Sequence, residues 1–188
     1  MNNIGITQIL HMSYSKVEQY DFEYRDIRLI DQYTKVSLIN TKHLYDMVRG
    51  EAIDSERAGL VFATDTGPYN SIMEVHGKIA QSGYIGINPS KYPNIMLSTP
   101  LSRIATFLQL KGPTISLYVN GRIEQAFQYA YIQILSKRCD SVFITYTNEN
   151  KSCFSMLVEK EEAARIRGIN MRFLLGDKQE KDKVGDRL

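Results

Sequence analysis

Apolar and polar positions change period several times along the chain, and each change marks the edge of an element. Residues 3–12 (NIGITQILHM) hold alternating and clustered β-branched side chains and predict a first strand. Residues 13–26 carry Tyr14, Tyr20, Phe22 and Tyr24 at no clean period, which predicts a loop with short helical turns. Over 27–49 the apolar positions Ile30, Val36, Ile39, Leu44, Met47 and Val48 form a broad stripe at helical spacing. Asp31 and Ser37 are candidates to cap or bend that helix, and Gly50 is a natural stop. Residues 57–64 (RAGLVFAT) are a near-continuous apolar run, the pattern of a strand buried on both faces. Asp65-Thr66-Gly67-Pro68 ends it. Residues 71–81 then predict a helix, with Asn70 or Ser71 as N-cap and Glu74 completing a capping box.

The stretch 92–135 organises the rest. Ile104, Phe107 and Leu108 recur at helical spacing, and Lys111-Gly112-Pro113 breaks that helix because proline lacks a backbone N–H and glycine permits turn geometry. Residues 114–119 are short, β-branched and aromatic, as a strand should be. Asn120-Gly121 is a strong turn dipeptide, after which Ile123, Phe127, Ala130, Tyr131 and Ile134 resume a helical face. A strand running through a sharp turn into a helix is where many α/β enzymes carry a nucleophile. Here the turn holds Asn120 and Gly121, and neither is one.

Residues 141–147 and 153–159 predict two more strands, paired as an antiparallel hairpin across 148–152. A short helix over 161–168 and a last strand over 171–175 follow. The order β, α, β, α, α, β, α, β, β, α, β predicts a layered α/β fold, a central mixed sheet flanked by helices. A single domain over 1–176 and a charged, frayed tail over 177–188 are expected.

Composition narrows the function classes. The 188 residues suit one domain, and 43% apolar with 23% charged residues is the balance of a soluble globular protein. A net charge of +2 implies no strong attraction to nucleic acid or an anionic membrane, so neither is an expected partner. No apolar run approaches the roughly 20 residues that span a bilayer, and the N-terminus lacks a secretory pattern, so a cytoplasmic location is expected. Cys139 and Cys153 are too few for a disulfide scaffold, and they predict packed thiols. His11, His43 and His76 read as packed or solvated side chains, and Glu159, Glu161 and Glu162 as the solvated start of a helix. Gly83 and Gly86 fit no phosphate loop and no ligand cluster has metal spacing, so no metal and no cofactor are expected. Residue chemistry alone therefore predicts an α/β domain with no visible catalytic group.

Several segments, in order, resemble the β-ketoacyl synthases of fatty-acid and polyketide synthesis, which have the thiolase fold. Residues 92–113 resemble the helix and turn before the nucleophile strand, with Leu110-Lys111-Gly112-Pro113 matching a Leu-Arg-Gly-Pro turn. Residues 27–44, 58–67, 140–145 and 156–168 (MLVEKEEAARIRG) are similar to further pieces, so the likeness covers most of 27–176. The resemblance implies a thiolase-like N-terminal half. Counting from Gly112-Pro113 without gaps puts Gly121, with Asn120 beside it, where the family carries its cysteine. The family's catalytic histidines and lysine belong to a C-terminal half that the likeness does not reach. The resemblance thus implies a non-catalytic ketosynthase-like protein acting by homo- or hetero-association, in the manner of a chain-length factor. Its dimer strand would be Thr114, Ile115, Ser116, Leu117, Tyr118 and Val119. The alternatives are a subunit of a split ketosynthase, with acyltransferase activity only beside a partner chain, or a module binding acyl groups or acyl carrier protein beside Tyr92 and Tyr118.

Overall fold

In the computed structural model, residues 4–20, 22–25, 27–48, 53–148, 152–168 and 171–173 are described. Six strands form one sheet: β1 (Ile4–Ser13), β2 (Ala58–Thr64), β3 (Thr114–Tyr118), β4 (Ser141–Asn148), β5 (Ser152–Lys160) and β6 (Met171–Phe173). Their order is β3-β2-β4-β5-β1-β6. β2 runs parallel to β3 and β4, β5 runs antiparallel to β4 and β1, and β6 runs antiparallel to β1. The first four strands thus share one direction and the last two oppose them. The expected hairpin is present, with Asn148 opposite Ser152.

The α-helices are α1 (Gln32–Val48), α2 (Tyr69–Ser82), α3 (Thr99–Leu108), α4 (Glu124–Leu135) and α5 (Glu161–Arg167). Strand side chains alternate between faces, so β2 sends Leu60 and Phe62 one way and Val61 and Ala63 the other. The first pair joins Leu38 and Leu44 of α1 and Ile104 and Leu108 of α3. The second joins Ala126, Phe127, Ala130 and Ile134 of α4. With both faces covered, all seven residues of β2 are buried, which explains its continuous apolar run. Among the described residues no helix is long and apolar enough to cross a membrane.

Gly112 ties the α3–β3 turn to β2. Its N–H donates to the Ala58 carbonyl at 3.0 Å, and a Cβ there would stand 2.6 Å from the Ala58 carbonyl carbon. Only glycine permits that approach.

Three expectations shift in detail. The helix expected from residue 27 starts at Gln32, because Asp31 caps it: Oδ1 accepts the Thr34 N–H at 2.9 Å. The capping box at α2 does not form. Ser71 instead donates to Asp31 Oδ2 at 2.7 Å, and Glu74 pairs with Lys78 and Lys91. Glu159 is not solvated. It closes β5 at 3% exposure, accepting from Thr7 Oγ1 at 2.8 Å and pairing with Arg167 Nε at 3.1 Å. Gly50, residues 174–175 of the last expected strand and the tail lie outside the described residues.

Candidate functional site

The carboxyl ends of β2, β3 and β4 meet at one end of the sheet, the place where open α/β sheets carry ligands. Chain direction brings Asp65 there from β2, the 119–122 turn from β3, and Tyr146 and Asn148 from β4. Val119 is fully buried, and its N–H donates to the Thr64 carbonyl at 2.9 Å. Arg122 N–H then donates to the Val119 carbonyl at 2.9 Å, closing the turn. Asn120 (φ 48°) and Gly121 (φ 74°) both have positive φ, as a type I′ turn demands, and Asn-Gly is the pair that adopts it most readily. The chain then enters α4.

This elbow holds a hydrogen-bonded cluster and no nucleophile. Gly121 N–H donates to Asp65 Oδ1 at 2.7 Å, and Tyr146 Oη donates to Asp65 Oδ2 at 2.5 Å. Asn148 Nδ2 donates to Tyr146 Oη at 2.7 Å and to Asp65 Oδ2 at 3.4 Å, while Asn148 Oδ1 accepts the Asp65 N–H at 2.9 Å. Burial, and then the hydrogen bond to the Asp65 carboxylate, push the Tyr146 phenol up to about 12, so it stays protonated and donates. Among the described residues, none places a heavy atom within 4 Å of a Cβ built on Gly121. The turn is therefore spatially open, while its amide is already bonded to an acid.

The other expected residues are placed as follows. Thr114, Ile115, Ser116, Leu117 and Tyr118 form β3, which pairs with β2 on one side and with no strand on the other among the described residues. Thr114 and Tyr118 are exposed and the three between them half-buried. Val119 lies one residue beyond the strand. Tyr92 and Tyr118 are 37% and 59% exposed. Neither lines the cavity of about 280 Å³ near Asp140, Glu159 and Arg167, nor that of about 90 Å³ near Asp31, Ser71 and Asn94. Cys139 and Cys153 are both packed thiols, as expected, and burial pushes each up to about 11. His11 stacks on Phe154, and His43 meets Tyr20 edge-on. Among the described residues no group of three or more His, Cys, Asp or Glu side chains is placed to hold a metal ion.

Asp65 and Tyr146 escaped the sequence reading, Asp65 passing as a turn residue and Tyr146 as one more strand aromatic. The available signal was a tyrosine and an asparagine two apart at a strand's end, a spacing that puts both on one face.

No family model matches the chain, and no curated protein matches it in sequence. Solved structures do. It superposes on a chain of a type II polyketide synthase complex of an acyl-carrier protein with its hexaketide-bound ketosynthase (AntDE:AntF) with a TM-score of 0.75 at 12% identity, covering 93% of this chain and 68% of that one. For the ishigamide ketosynthase/chain length factor the values are 0.67 and 17%, covering 86% and 63%. For a β-ketoacyl synthase from Burkholderia phymatum STM815 they are 0.68 and 12%, covering 91% and 62%. The chain thus has the α/β, thiolase-like fold of ketosynthases and chain length factors. It spans less than two thirds of the last two chains.

Proposed function

We propose that this is a non-catalytic, ketosynthase-like protein that works by association, with a second copy or with a ketosynthase, in fatty-acid or polyketide metabolism. The observation that carries the reading is the elbow. A strand, a tight turn and a helix stand where a nucleophile would be expected, and the turn offers Asn120 and Gly121 with the Gly121 amide bonded to Asp65. An acyl-transfer site needs a nucleophile, and this turn supplies none.

Association is supported by the outer edge of β3, which pairs with no strand among the described residues and suits strand pairing with another chain. The segment after β2 adds apolar surface: Tyr69, Ile72, Met73, Tyr84, Ile85 and Met96 are exposed. The neighbours in which a ketosynthase meets a chain length factor or a carrier protein support a ketosynthase or a carrier protein as the partner.

Light scattering on the purified protein, alone and mixed with a ketosynthase, tests this. The expected result is a complex in at least one of the two samples, weakened tenfold or more by Tyr118→Asp at the exposed end of β3. Monomers at micromolar concentration in both would end the association reading. An acyl adduct on Gly121-bearing protein after incubation with an acyl thioester, read by intact mass, would end the non-catalytic one.

A further inference from the structure

We infer that Asp65 is a built-in acceptor that shuts the elbow to anionic ligands and to any negatively charged group reacting there. The inference deepens the non-catalytic reading above and rests on it.

The start of a helix favours negative charge, because its first N–H groups have no partner within the helix. α4 is 12 residues long, and the Gly121 amide lies in the turn two residues before its N-cap, Ile123. In this chain that amide already has an anionic partner, Asp65 Oδ1 at 2.7 Å. The carboxylate is itself held in place. Tyr146 Oη and Asn148 Nδ2 donate to its other oxygen at 2.5 and 3.4 Å, and Asn148 Oδ1 takes its main-chain N–H at 2.9 Å. Asp65 cannot turn away from Gly121 without losing bonds to β4.

Asp65 and Tyr146 are half-buried, so their interaction is screened less than a surface pair. The charged groups that follow the turn, Arg122 and Glu124, are both exposed and opposite in sign. Among the described residues bulk does not close the elbow, since a Cβ on Gly121 meets none of their heavy atoms within 4 Å. The barrier to an incoming anion is the charge already present, which disfavours a second one nearby.

A thiol placed at the turn measures this directly. The full-length variant Gly121→Cys carries one exposed thiol, because Cys139 and Cys153 are fully buried. Its alkylation by iodoacetamide is followed against pH, alone and combined with Asp65→Asn. The asparagine keeps an oxygen for the residue 121 amide and removes the charge. The new thiol is expected to titrate above the ordinary thiol value of 9.0. Asp65→Asn should lower its pKa by a unit or more, labelling it about tenfold faster at pH 7. Asp65→Ser must shift it in the same direction, and serves if the asparagine disturbs the turn. An ordinary pKa in Gly121→Cys alone overturns the inference. So does a raised pKa that both Asp65 replacements leave in place. Acylation of the unaltered chain would instead sink the non-catalytic reading, through a different readout.

Discussion

On the α4 side of the sheet, Ala126, Phe127, Ala130 and Ile134 meet Val61, Val142, Ile144 and Val158 through apolar contacts. On the α1 side an apolar cluster around Phe62 and Phe143 adjoins a layer of buried polar side chains. Ser37 and Thr147 share a hydrogen bond at 2.8 Å, and Thr41 and Thr145 another. Asn40 Nδ2 reaches Ser155 Oγ at 2.9 Å and the Leu10 and Cys153 carbonyls at 3.2 and 3.3 Å. All six side chains named, from Ser37 to Ser155, are 0% exposed. The faces therefore hold their helices differently. Dispersion and apolar burial set no strict register for α4, whereas α1 is held by directional bonds that a half-turn slip would leave unmade.

The largest effect should come from Asn40→Leu. It keeps the volume but strips the donor from two carbonyls and the Ser155 hydroxyl, and should cost about 3 kcal/mol in urea unfolding. A cost below about 1 kcal/mol would mean that the layer fills space without setting register.

A second measurement compares the two buried thiols, one on each face. Cys139 sits in the α4-side cluster, while Cys153 accepts from Thr147 Oγ1 at 3.1 Å and Asn40 Nδ2 at 3.4 Å. Burial is the first cause of the upward shift in both, to about 11 from an ordinary 9.0. Below pH 9 both folded and unfolded states keep the proton, and the contribution to stability is complete. Between about 9 and 11 only the unfolded chain loses it, so stability falls as pH rises, on the order of 2 kcal/mol per thiol. Cys139→Ala and Cys153→Ala should each flatten that fall by a similar amount in melts taken from pH 8 to 11. Flattening by one variant alone would show that the two faces desolvate their thiols unequally.

The smallest effect should follow Ile134→Val on the apolar face. The lost methylene should cost about 1 kcal/mol with folding otherwise unchanged. A loss as large as that of Asn40→Leu would erase the contrast between the faces.

Much of the architecture was readable before any coordinates. Strand runs, helical stripes and breakers act within a few residues, so six strands, their order in the chain and the β4–β5 hairpin followed from pattern alone. The polar layer did not. The stripe Ser37, Asn40 and Thr41 looks like a solvated face, and it is buried against hydroxyls and carbonyls that β1, β4 and β5 present opposite it. The capping box failed because α2 begins at Tyr69, so that Ser71 lies inside its first turn and its hydroxyl turns to Asp31, forty residues away.

The elbow divides the same way. Asn120-Gly121 specifies its own turn, because these two residues accept positive φ at little cost, and no distant contact is needed to say so. The absence of a nucleophile is equally a property of the residues themselves. That the turn's amide is bonded to an acid depends on tertiary structure: Asp65 lies 56 residues from Gly121 and 81 from Tyr146. Those contacts exist only because β2, β3 and β4 run parallel and end together, and parallel pairing joins segments that no local pattern links.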